Sequence, residues 1–212
     1  MDTPLVMFDF DGVLVDTVEF LEKVMREDLK KLGYDFLHTH EDMMNLFEDN
    51  VLVSLIDHGL TPNDMCAVWE HMQDASKKAN IKLFPGVEGM LEAMSGRCYM
   101  VVVSSNSSVI IKDVLSRLGV LTRFKSVSGG EEELGKVERI KHCMKDFGAK
   151  PSKAIYIGDS AGDVREAHEA GCMAVAVSWG LHPLMRLAPS NPDCIVNNPS
   201  EIVDLVSAFS DE

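Results

Sequence analysis

Leu5-Val6-Met7-Phe8-Asp9-Phe10-Asp11-Gly12-Val13-Leu14-Val15-Asp16-Thr17 is the stretch from which the rest of the chain can be read. Four apolar residues followed by Asp and Gly read as a buried strand that breaks into a loop. Loops at such strand ends are where open α/β sheets bind ligands. Asp9 and Asp11 stand two residues apart there. Carboxylates crowded out of water repel one another unless a cation offsets the charge, so the pair points to a Mg²⁺ site. A carboxylate held in that position can also attack an electrophile and form a covalent bond to it.

Beyond Asp16 the apolar period lengthens from that of a strand to that of a helix. Val18, Leu21, Met25, Leu29 and Leu32 recur at steps of three or four, with Gly33 as a C-terminal stop. Thr61-Pro62-Asn63-Asp64 supplies a capping Thr, a first-turn Pro and an acid near a helix N-terminus, and Met65, Val68, Met72, Ala75 and Ala79 continue that helix. Between the two, 41–59 reads as one or two shorter helices. Residues 16–81 are therefore expected to be a helical insertion, with Leu83-Phe84-Pro85-Gly86 marking the return. After Pro85, strand candidates at 99–103, 124–127, 154–157, 173–177 and 194–196 alternate with helix candidates at 87–94, 109–118, 137–147, 161–170 and 201–209. Strands separated by helices predict a parallel, doubly wound α/β sheet. The expected organisation is a core of residues 1–15 and 82–212, with a small all-α domain at 16–81 inserted after the first strand.

Bulk properties narrow the partners. A formal charge of −14, from 20 basic and 34 acidic side chains, disfavours nucleic acid and anionic membrane surfaces. No apolar stretch approaches the roughly 20 residues of a membrane span, and the start lacks a signal-peptide pattern, so a cytoplasmic protein is expected. Cys66, Cys98, Cys143, Cys172 and Cys194 are odd in number and scattered, as reduced thiols are. The seven histidines show no zinc-binding spacing; His38 and His40 lie close together but read as surface loop residues.

Other strand ends carry polar groups that could meet the two aspartates. After Val101-Val102-Val103, the residues Ser104, Ser105, Asn106, Ser107 and Ser108 could hold a phosphate at a helix N-terminus, or simply cap the helix. In Gly158-Asp159-Ser160-Ala161-Gly162-Asp163, the two acids are four residues apart and can face one crevice, which favours a metal site. Lys136 opens a helical stripe of Val137, Ile140, Met144 and Phe147, where the helix dipole disfavours a cation and something anionic should compensate. The alternative for Lys136 is a surface lysine beside Glu131, Glu132 and Glu133. Ser178-Trp179-Gly180 carries no obvious chemistry and could simply turn the chain.

Taken in order, these segments resemble the four motifs of the haloacid dehalogenase superfamily of phosphohydrolases, over nearly the whole chain. The resemblance implies that Asp9 is a nucleophile forming an aspartyl phosphate and that Asp11 is the general acid and then the base. It implies Mg²⁺ held by Asp9, the Asp11 carbonyl and Asp159, with Asp163 as direct or water-mediated support, and a phosphoryl group bound by Ser104 and Lys136. The helical block matches the cap of the phosphoglycolate phosphatase and β-phosphoglucomutase branch, with hinges at Pro85, Gly86 and Val15 to Thr17. Val13 stands where many members have Thr. Leu21 stands where mutases of the branch often have a histidine, which weighs against a phosphosugar mutase. Phe47-Glu48-Asp49-Asn50 replaces a loop that often holds a glycine and a basic residue, leaving Asn50, His58 and Lys82 as candidate substrate selectors. The expected function is a Mg²⁺-dependent phosphatase acting on a small phosphorylated metabolite such as phosphoglycolate or a sugar phosphate, as a monomer or homodimer. The alternatives are the mutase and a non-catalytic binding protein on the same fold.

Overall fold

In a computed structural model, the opening apolar run forms strand β1 (Leu5–Phe8), buried along its whole length. The structure describes residues 3–48, 51–132 and 134–210; Asp49, Asn50 and Glu133, named above, lie outside them. The other strands are β2 (Tyr99–Val103), β3 (Ser126–Ser128), β4 (Ala154–Gly158), β5 (Met173–Val177) and β6 (Cys194–Val196). They form a six-stranded sheet in the order β3-β2-β1-β4-β5-β6, and every pairing is parallel.

The winding reverses at β1, whose neighbours on either side are reached by separate crossovers. Such a reversal leaves a crevice beyond the carboxyl ends of the strands. Phe8 pairs with Val102 on one side and with Ile157 on the other, so Asp9, Ser104 and Asp159 emerge at one edge of the sheet.

Helices cover both faces, which is why the strands read as continuous apolar runs. Val6, Phe8, Met100, Val102, Ile155 and Ile157 share one buried cluster with α5 (Val87–Met94), α6 (Ser108–Arg117) and α10 (Pro199–Ser210). Leu5, Met7, Val101, Val103 and Tyr156 share the other with α7 (Lys136–Asp146) and α8 (Ala161–Ala170).

Between β1 and the rest of the sheet lie α1 (Val18–Lys31), α2 (His40–Leu46), α3 (Val51–Asp57) and α4 (Pro62–Lys78). Gly33 follows α1 with φ +89°, a conformation that glycine adopts without strain. Thr61 caps α4 through a reciprocal pair of bonds with Asp64. The insertion leaves and returns at one place: Asp16 N–H donates to Lys82 O at 3.0 Å, Phe84 N–H donates to Leu14 O at 3.1 Å, and Val15 bridges Leu83. A short helix α9 (Leu184–Leu187) follows β5.

Strand β3 starts two residues later than the periodicity predicts. Phe124 turns inward to meet the Phe8 ring edge-on at 6.1 Å, and only Ser126–Ser128 follow the register of β2. Among the described residues no helix is long and apolar enough to cross a membrane. All five cysteines are free.

Candidate active site

Asp9 and Asp11 follow β1 directly, and the tight loop beyond them is made by Gly12 at φ +74°. A Cβ at Gly12 would collide with Asp159 Oδ2, and one at Gly180 would collide with Asp159 Cβ. A Cβ at Gly158 would strike Asp163. Three glycines thus clear the space in which the acidic side chains sit.

Asp9, Asp159 and Asp163 offer one carboxylate oxygen each within 4.8 Å of one another. Desolvation raises the Asp9 carboxyl above its ordinary range, against the opposing pull of Lys136. Desolvation, then the charges of Asp163 and Asp9, push Asp159 well up. Asp163 is desolvated too, but Lys136 and bonds from Ser160 hold it below the ordinary value. Three oxygen donors crowded together at this electrostatic cost match a hard divalent cation.

Lys136 is buried rather than a surface lysine, at 6% exposure. Its Nζ donates to Asp163 Oδ1 at 2.7 Å and lies 3.4 Å from Asp9 Oδ2 and 3.5 Å from Glu166 Oε2. Burial alone would favour the neutral amine. The charges of Asp163, Asp9 and Glu166 outweigh it and hold the lysine protonated. These contacts are the anionic compensation that its place at the start of a helix demands.

Asp11 lies apart from that acidic cluster. Thr17 Oγ1 donates to its Oδ1 at 2.6 Å, and Asn106 Nδ2 donates to its Oδ2 at 2.8 Å. Desolvation raises its carboxyl to about 6, although both of these bonds pull it down. Ser104 is buried at the end of β2, where its Oγ accepts from Asn106 N–H at 3.2 Å and bonds Asp9. Capping falls to Ser107, the N-cap of α6. A cavity opens between these groups, and Ser105 lines it together with Asp9, Asp11, Ser104 and Lys136.

Several contributors gave no signal in the sequence. Ser178-Trp179-Gly180 does more than turn the chain: the next residue, Leu181, donates its N–H to Asp159 Oδ2 at 2.6 Å, and Trp179 Nε1 donates to Val13 O at 3.2 Å. Arg139 is buried behind the Ser104 turn and donates through Nη1 to Ser104 O at 2.9 Å and Ser128 O at 3.2 Å. His182 is fully buried, unlike the exposed His38 and His40; its Nδ1 accepts from Ala161 N–H at 3.0 Å and its Nε2 meets Met44 O at 2.9 Å. The candidate selectors His58 and Lys82 do not line the cavity: His58 is exposed and stacks on Phe36 at 4.1 Å, and Lys82 faces solvent.

The family model described as haloacid dehalogenase-like hydrolase matches residues 6–177. The chain belongs to this family. A phosphoglycolate phosphatase of Synechococcus elongatus is 28% identical over 205 residues, covering 95% of this chain and 96% of the relative. A phosphoglycolate phosphatase of Nitrosococcus oceani is 27% identical, covering 96% of each chain. A solved haloacid dehalogenase-like family protein of Streptococcus pneumoniae superposes with a TM-score of 0.79 at 22% identity, covering 96% of this chain and 98% of that one. The chain is thus a haloacid dehalogenase-like hydrolase, and the relatives it matches along nearly its whole length are named as phosphatases.

Proposed function

We propose that the protein is a Mg²⁺-dependent phosphomonoesterase working through an aspartyl phosphate on Asp9. The observation that carries this reading is the division of the two β1 aspartates. Asp9 faces Lys136 and the acidic cluster, whereas Asp11 is held aside by two neutral donors and is raised to about 6.

Asp9, Asp159 and Asp163, with the Asp11 carbonyl, would hold Mg²⁺, which supplies positive charge to the phosphoryl oxygens. The chain's own residues account for the remaining chemistry. An Asp9 oxygen attacks phosphorus, the bond from phosphorus to the ester oxygen breaks, and Asp11 gives its proton to the departing alcohol. Water then attacks the acyl phosphate, Asp11 takes the proton from it, and phosphate and the Asp9 carboxylate are released. Ser104 and the charged Lys136 orient the phosphoryl group, as a reaction that depends on positioning and charge neutralisation requires. Residues 16–81, with crossings near Val15 and Leu83, act as a cap that shields this chemistry from bulk water.

A panel of phosphomonoesters assayed with Mg²⁺ and with EDTA, beside Asp9→Asn, tests the reading. Phosphate release should need Mg²⁺ and should fall by at least about 10³-fold in the mutant. Equal turnover by Asp9→Asn would remove the nucleophile assignment. Isomerisation of a hexose 1-phosphate in place of phosphate release would favour a mutase.

A further inference from the structure

The catalytic cavity has two walls of opposite character. The sheet side presents Asp9, Asp11, Asp159, Asp163 and Glu166, with Lys136 as its cation. The side contributed by the insertion is apolar at every described residue that lines it, including Leu21 and Met25 from α1, Met43 from α2, Leu55 from α3, and Val68 and Met72 from α4. No lysine, arginine or histidine of the insertion lines the cavity among the described residues.

We infer that the substrate is a phosphomonoester of an apolar alcohol, whose hydrocarbon part lies against this wall. The inference rests on the phosphomonoesterase reading above and names the class of its leaving group. The wall is continuous with Asp9 and Asp11, so whatever is esterified to a phosphoryl group at Asp9 enters it. A leaving group with a carboxylate would be desolvated there with no cation to meet it, because Lys136, the one cation among the described lining residues, lies on the sheet side where the phosphoryl group takes it. A sugar would have to give up water around several hydroxyls without finding partners on the insertion side. Hydrocarbon loses nothing by leaving water and fills the space between the side chains. The relatives named phosphoglycolate phosphatases therefore mark the shared chemistry of the sheet side and not the alcohol accepted by this chain.

The test is kcat/KM of the full chain with Mg²⁺ on ethyl, butyl and hexyl phosphate, against phosphoglycolate and glucose 6-phosphate. Values should rise roughly fourfold or more per methylene until the wall is covered. Hexyl phosphate should exceed both polar esters by at least about tenfold. Polar esters turned over as fast as hexyl phosphate would overturn the inference and leave the phosphatase standing. If no ester is hydrolysed, the phosphatase reading fails, and calorimetry with Mg²⁺ judges the wall separately. Tighter binding of butylphosphonate than of phosphonoacetate supports it, and equal or weaker binding overturns it. Leu21→Lys and Trp69→Lys, the second at a half-buried position of α4 that also lines the cavity, should shift preference toward phosphoglycolate. An unchanged preference in both variants, with folding confirmed by circular dichroism, would also overturn the inference.

Discussion

Asn106 Nδ2 donates to Asp11 Oδ2 at 2.8 Å, joining the end of β2 to the loop after β1 across 95 residues of sequence. The amide holds the carboxylate that is proposed to move the proton and lowers its affinity for one. Asn106→Ala should therefore lower kcat by roughly 10- to 100-fold, a part of what a positioned acid and base contributes, with a smaller change in KM. With that bond gone, Asp11 should titrate higher than about 6, and the pH profile of kcat should move up with it. An unshifted profile would mean that Asn106 only props the loop.

Metal and pH should act together on stability. Burial raises Asp159 well above the ordinary carboxylate value and raises Asp9 despite Lys136. Between that ordinary value, about 3.9, and the raised ones, the folded protein binds more protons than the unfolded chain, so stability falls as pH rises. Asp163 acts in the opposite sense, but its value is lowered, so its contribution is already complete above the ordinary range. In EDTA, Tm should climb as pH is lowered through about 6, the value of the likewise raised Asp11, offset in part by His182, whose lowered value costs stability below its ordinary range. Mg²⁺ should raise Tm more at pH 8 than at pH 5, and equal shifts at the two pH values would contradict the proposed ligand set.

Gly12→Ala places a methyl on Asp159 Oδ2 at a backbone position with φ +74°. It should cost about 1–3 kcal/mol in urea unfolding. Activity should fall further than this stability loss explains, and should fall less steeply as Mg²⁺ is raised if the defect is weakened metal binding.

Arg139→Met removes a buried guanidinium that bonds two carbonyls, Ser104 O and Ser128 O, and whose own Nε has no partner. Leaving those carbonyls short of a donor should cost about 2–4 kcal/mol, measurable by urea denaturation. Arg139→Lys should recover only part of the loss, because Nζ ends one bond short of Nη1, the single nitrogen that makes both bonds.

The sheet was legible in the sequence because both faces are covered: an apolar run such as Met173–Val177 has no other use in a protein with these helical spacings. The carboxylates were legible because they stand at strand ends, where local sequence and topology coincide. Lys136 was only half legible. Its position at the start of a helix was visible, but its partner Asp9 is 127 residues away, and burial is set by that pairing. Arg139 and Leu181 act through a guanidinium behind the sheet edge and a backbone N–H, and neither leaves a local pattern. The start of β3 was missed because Phe124 suits a strand by type but serves the core as a ring packed on Phe8.

The bonds that tie Asp16 to Lys82 and Phe84 to Leu14 make the exit and return of the insertion a single seam. A segment attached along one seam can be exchanged or resized without threading a second break through the sheet. The apolar surface of the insertion can therefore change while the acidic surface of the sheet is kept, so that the proposed choice of alcohol and the proposed cleavage of phosphate rest on separable parts of the chain.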